Sequence, residues 1–151
     1  MKPSRVQKGD VALLTVAARL TEAALFPMRP FCEALPFDLA LYFESKFYRI
    51  QVKRAQKYKK TGRWEIPFRK TTVNSKGTKT KRYSEKDIEF IIGVVVETGD
   101  LYCFPMNKSR GVKAVIQVDP NGVSRCKGWN RSIDPEMFRN RIKLGKVEIA
   151  I

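Results

Sequence analysis

The chain has 151 residues, 43% apolar and 30% charged, which is enough to bury one ordinary core and too apolar for a disordered tail. Thirty Lys and Arg stand against fifteen Asp and Glu, giving a formal charge of +15. There is no His, which excludes histidine general-base catalysis, the serine–histidine triad and histidine-ligated zinc. The cysteines, Cys32, Cys103 and Cys126, are odd in number and widely spaced, so neither a disulfide framework nor CxxC metal chemistry is expected and a reducing compartment is.

The N-terminal stretch from Met1 to Lys8 is basic but leads into no signal-type apolar segment, and no apolar run approaches a membrane span. A soluble intracellular protein is expected. Gly9 to Leu25 reads as a helix, because Val11, Leu14, Ala17, Ala18, Thr21 and Leu25 recur at helical spacing. Gly9-Asp10 is the expected N-cap pair, Pro27 stops the helix and Pro30 prevents its restart. Asp38 to Phe43 and Phe47 to Arg54 read as two strands joined by Glu44-Ser45-Lys46. Period-two alternation puts Leu39, Leu41 and Phe43, with Tyr48, Ile50 and Val52, on the core face. It leaves Asp38 with Arg49, Gln51 and Lys53 on the other.

The positive charge is concentrated next. Residues 53–82 hold twelve basic side chains and one acid, Glu65, whereas the segments before and after are each only +2. Ordinary surfaces mix signs, so a single-sign block points to a polyanion, and without an amphipathic helix that polyanion is nucleic acid rather than a membrane. The alternative is a solvated basic loop. Trp64 to Phe68 reads as a strand that enters a basic loop or projecting β-ribbon with Gly77 near its tip. A two-stranded ribbon fits the DNA major groove. Arg63, Arg69, Lys70, Thr71, Asn74, Ser75, Lys76, Lys79, Lys81 and Arg82 are the candidate DNA contacts, mixing phosphate-seeking cations with groups that reach base edges.

Glu89 to Glu97 is β-branched and apolar, a central strand that Thr98-Gly99-Asp100 turns into Leu101 to Phe104. Val112 to Val118 is a further strand, and Asp134, Pro135 and Gly145 bracket a C-terminal helix over 134–145. With no internal repeat or linker, the expected class is α/β: one domain over 1–151, a mixed central sheet flanked by helices, and a projecting basic ribbon.

Phosphodiester hydrolysis without histidine calls for a divalent metal on hard oxygen ligands, with a lysine for the developing charge. Asp38 offers a carboxylate, Gln51 an amide oxygen and Val52 its backbone carbonyl, while Lys53 projects from the same strand face as Gln51. The simpler readings are a turn-capping Asp after Pro36 and a solvated strand face for Gln51 and Lys53.

Pro36-Phe37-Asp38, twelve intervening residues and then Gln51-Val52-Lys53 resembles the signature of the PD-(D/E)xK nucleases. Lys8-Gly9-Asp10 before an apolar helix, Arg29-Pro30-Phe31, the run from Tyr83 to Phe90 and Leu101-Tyr102-Cys103-Phe104-Pro105 are similar to the small members of resolvase and intron-homing type. The subgroup includes a cyanobacterial enzyme of a group I intron in a transfer-RNA gene, which also has Gln at the third motif position. The resemblance covers about residues 8–105. It implies a restriction-endonuclease-like core over 8–105, a DNA-binding ribbon over 63–82 and a homing endonuclease of a bacterial cytoplasm. Mg2+ or Mn2+ would be held by Asp38, Gln51 and the Val52 carbonyl. The products would be 5′-phosphate and 3′-hydroxyl ends, and the partners double-stranded DNA and further copies of the chain, at least a dimer and by analogy a tetramer. A Holliday-junction resolvase and a non-catalytic DNA-binding protein with a decayed nuclease core remain open. Gln51 replaces the usual acid, and the Glu that the family commonly places on the first helix falls, counted from Lys8-Gly9-Asp10, at Leu13. Leu13 is either an inactivating substitution or an ordinary core residue.

Overall fold

The computed structural model describes residues 4–32, 34–43, 45–60, 62–75, 77–106 and 115–118. The expected helix over 134–145 and the N-terminal end of the strand expected over 112–118 lie outside them. Among the described residues one helix, α1 (Arg5–Glu22), is followed by β1 (Pro27–Met28), β2 (Leu39–Phe43), β3 (Lys46–Arg54), β4 (Gln56–Lys57) and β5 (Trp64–Pro67). Then come β6 (Arg69–Asn74), β7 (Gly77–Arg82), β8 (Phe90–Val95), β9 (Asp100–Pro105) and β10 (Val115–Val118). No helix among these residues is long and apolar enough to cross a membrane.

The helix begins four residues before the expected start. Ser4 is the N-cap: its side chain accepts from the Gln7 backbone N–H, and the Gln7 side chain accepts from the Ser4 N–H. This reciprocal capping box satisfies donors that Gly9-Asp10 would have left open, and it places those two residues inside the helix. The buried stripe is also rotated from the expected one. Ala12, Val16 and Leu20 are buried, while Val11 and Leu14 are 44% and 67% exposed. Alanines fit either stripe, and the close approach of helix to sheet selects the one with Ala12 on it.

The central sheet has the order β1-β2-β3-β8-β9, with β3 and β8 parallel and the other pairs antiparallel. The expected hairpin is present, but Lys46 already pairs with Phe43, so the connection is two residues long and Ser45 adopts a φ of 64°. One face of the sheet carries Leu39, Leu41, Ile50, Val52, Ile92 and Val94 against α1. The other carries Ile91, Val95, Tyr102 and Phe104 against Ile66, Phe68 and Ile116 of a smaller sheet ordered β10-β5-β4. Gly93 makes this second contact possible. A Cβ there would lie 2.3 Å from Ile66 Cδ1 and 2.8 Å from its Cγ2, so β5 sits directly on the β8 backbone.

Residues between β3 and β8 form one long crossover, and β6 and β7 pair within it as a separate antiparallel ribbon from Arg69↔Arg82 to Asn74↔Gly77. The crossover is tied down at both ends. Ala55 N–H donates to the Val94 carbonyl at 2.8 Å, and Glu89 N–H donates to the Arg49 carbonyl at 2.9 Å. Glu89 also accepts from the Arg49 backbone N–H at 2.6 Å and pairs with its guanidinium at 2.5 Å. Burial alone would raise the Glu89 pKa, but the Arg49 bonds outweigh it and hold the carboxyl below its ordinary value.

Candidate active site

The register of the β2–β3 hairpin builds the site. It pairs Leu39 with Ile50, so Asp38, one residue earlier, falls opposite Gln51, and its backbone N–H still donates to the Ile50 carbonyl at 2.9 Å. Asp38 Oδ2 accepts from the Val52 backbone N–H at 2.8 Å and from the Gln51 side-chain amide. Lys53 stands two residues beyond Gln51 on the same sheet face, and its ammonium lies 5.0 Å from the centre of the Tyr83 ring. The expected juxtaposition of Asp38, Gln51 and Lys53 is therefore present on the face away from α1.

These three residues open into a cleft of about 450 Å³ that also reaches Arg5, Glu65, Arg69, Lys70, Thr71 and Tyr83. Burial, the largest influence, raises the Asp38 pKa; the Val52 N–H and the Lys53 charge oppose it, and Lys70 and Arg29 add smaller opposition. Burial lowers the Lys53 pKa, Asp38 counters it, and Lys70 and Arg5 add repulsion. Burial next to the Asp38 charge also raises the Tyr83 phenol above its ordinary value.

Among the described residues no three His, Cys, Asp or Glu side chains converge as a metal cluster. The oxygens that could serve are the Asp38 carboxylate, the Gln51 amide oxygen and the Val52 carbonyl, which lies 3.4 Å from the Gln51 amide nitrogen. Gln51 now turns its NH₂ toward Asp38. Rotating that amide would put two oxygens face to face, an arrangement a cation between them favours. This donor set fits one hard divalent ion, bound weakly because only one ligand is anionic.

The expected helix carboxylate position falls at Leu13. Leu13 is half-buried, packs against the cluster of Ala12, Val16 and Leu20 beneath the sheet, and is not among the residues lining the cleft. The part of α1 that reaches the cleft is its first residue, Arg5. Of the ribbon candidates, Arg69, Lys70 and Thr71 line the cleft. Ser75, Lys79, Lys81 and Arg82 are exposed, and Arg63 is half-buried on the strand side with its guanidinium 3.3 Å from Gln117 Oε1. Asn74 pairs with Gly77 at the ribbon end, and Lys76 lies outside the described residues. Arg5, Glu65 and Tyr83 were not among the site residues expected. None of the three carried a local signal, because each joins the cleft only through the way the chain folds back.

The sequence model of the PD-(D/E)XK endonucleases matches residues 4–132, most of the chain. The chain belongs to the PD-(D/E)XK endonuclease family. Among solved structures the chain is similar to a bacterial homing endonuclease, I-Ssp6803I. The TM-score is 0.76 at 23% identity, over 95% of this chain and 96% of that one. At this identity the likeness establishes a shared fold. No sequence among curated proteins matches the chain. Enzymes of this family generally use divalent metal ions, in keeping with the oxygen donors gathered around Asp38.

Proposed function

We propose that the protein is a site-specific homing endonuclease that hydrolyses phosphodiesters of double-stranded DNA with Mg2+ or Mn2+, leaving 5′-phosphate and 3′-hydroxyl ends. The observation that carries this reading is Asp38 facing Gln51 across the hairpin, with Lys53 beside them in a cleft that the basic ribbon borders. Asp38, Gln51 and the Val52 carbonyl would hold the ion, which supplies Lewis-acid polarisation of the phosphate and acidifies bound water.

The chain's own residues do the rest. Lys53, beside the Asp38 carboxylate, stabilises the charge that builds on the phosphoryl oxygens and orients the attacking water. The Val52 N–H fixes the Asp38 carboxylate, so no reorganisation is needed at the moment of reaction. The exposed cations of β6 and β7 bind backbone phosphates, while Thr71, Thr78 and Thr80 of these strands and Ser75 between them reach base edges. One such site cuts one strand, so cleaving a duplex requires two copies arranged with the two-fold symmetry of DNA, as a dimer or tetramer.

The second reading, DNA binding without cleavage, is favoured by the single carboxylate of the donor set. A plasmid-cleavage assay separates the two. Linear or nicked product in Mg2+ or Mn2+ that vanishes in Asp38→Asn supports the nuclease. DNA binding with no cut in either metal replaces it with the binding protein. Preference for four-way junctions over linear duplex selects a resolvase.

A further inference from the structure

Like charges converge on the cleft from three distant parts of the chain. Arg5 comes from the first turn of α1, Lys53 from β3, and Arg69 and Lys70 from β6. Only two carboxylates, Asp38 and Glu65, are among the described lining residues. Arg5 and Lys70 are close enough to Lys53 for both to repel its charge. Arg69 Nε is buried and has no hydrogen-bond partner among the described residues.

Arg5 is the hardest of these to explain by folding alone. A helix N-terminus carries partial positive charge and prefers acids, yet α1 has no acid in its first turn and opens on an arginine. The capping box fixes the backbone on both sides of that arginine through Ser4 and Gln7. The helix would be better served by Glu at this position, and Lys53 by a neutral neighbour. An anionic guest removes both costs, and a guanidinium meets a phosphate with two parallel hydrogen bonds.

We infer that Arg5 is a substrate-contacting residue, holding the DNA backbone phosphate against Asp38 together with Lys53 and Lys70. This rests on the nuclease reading above. The helix thus brings a cation to the cleft where the family pattern suggested a carboxylate, and the phosphodiester itself supplies the missing negative charge.

Arg5→Glu, Arg5→Gln and Arg5→Lys of the full chain test the assignment against a fluorescent duplex of arbitrary sequence. Thermal unfolding and the salt dependence of binding are read on each. Arg5→Glu is expected to unfold at the same or a higher temperature, because an acid suits the first turn, yet to bind the duplex at least about tenfold more weakly near 50 mM salt. Arg5→Gln is expected to lower the slope of log affinity against log salt by about one, and Arg5→Lys to keep it. An Arg5→Glu chain that is destabilised makes Arg5 a structural residue and overturns the proposal. So does an Arg5→Gln chain with unchanged slope and cleavage. If the unsubstituted chain shows no salt-dependent binding of duplex DNA, the nuclease reading itself fails, an outcome distinct from an indifferent Arg5.

Discussion

The cleft and the ribbon hold their charges on different terms. In the cleft, Asp38 and Lys53 are half-buried, and each is fixed by neighbours: a backbone N–H and an amide for one, an aromatic ring for the other. On the ribbon, residues 77–82 are exposed and pair in register with a second strand of similar charge. Buried groups are few, positioned and costly, which suits chemistry at one atom. Exposed cations are many, solvated and replaceable, which suits a long polyanion. The difference implies that cleavage and affinity are separable.

The largest effect is expected in the cleft. Asp38→Asn and Lys53→Ala each reduce cleavage by about a thousandfold or more while leaving DNA affinity within a few-fold, because they remove transition-state interactions. Asp38→Asn should also fold as stably as the parent at pH 7, or more so. The raised pKa of the buried acid means that stability falls as pH climbs from the unfolded value of 3.8 through the folded one, and the amide lacks this penalty. If either substitution costs as much affinity as deleting residues 70–81, the separation is wrong.

On the ribbon, parent affinity should fall about a thousandfold between 50 and 200 mM salt, and replacing Lys79 and Lys81 by Ala should flatten that slope by about two without altering the single-turnover rate at saturating DNA. A flat salt curve for the parent removes the ribbon from the interface.

Smaller effects test what supports the cleft. Gly93 pairs in register with Lys53 and lies under Ile66. Gly93→Ala should cost about 1–3 kcal/mol by overpacking, relieved by adding Ile66→Val, as read by denaturant unfolding. Leu13→Glu should cost a similar amount, about 1–3 kcal/mol, by placing a carboxylate among apolar side chains, and should bring no gain in plasmid cleavage. A rate increase would restore Leu13 as the missing ligand position.

The smallest effect concerns Glu89, which pins the start of β8 to Arg49. Its lowered pKa contributes stability that is present above the unfolded value of 4.5 and disappears as pH falls through the folded one. Glu89→Gln, a partly exposed pair, should therefore cost about 1 kcal/mol at pH 7 and converge with the parent in acid.

Much of this was legible in the residues. The alternation of Leu39, Leu41 and Phe43 against Tyr48, Ile50 and Val52 is the sheet's own period, and it set Asp38, Gln51 and Lys53 on one face before any pairing was known. The helix resisted because Ala12, Ala17, Ala18 and Ala23 allow more than one stripe, and the sheet beneath decides which is buried. The N-cap was missed because the Ser4–Gln7 pair is local and polar, and competed with a Gly-Asp pair just downstream. Arg5, Glu65 and Tyr83 join the cleft only through tertiary folding, at sequence separations no local pattern spans. The count of acids in the basic block did single out Glu65, without indicating where it points.

The route of the chain between β3 and β8 has a consequence for how this protein could change. Everything from Gln56 to Ile88, ribbon included, is a detour between two neighbouring parallel strands, clamped at Ala55–Val94 and Arg49–Glu89. Loop-closure entropy rises by only about 0.6 kcal/mol for each doubling of such a detour. A ribbon of different length or composition can therefore be grafted between the clamps while Asp38, Gln51 and Lys53 keep their register. On the proposed reading, a new ribbon would change the target and leave the cutting frame fixed.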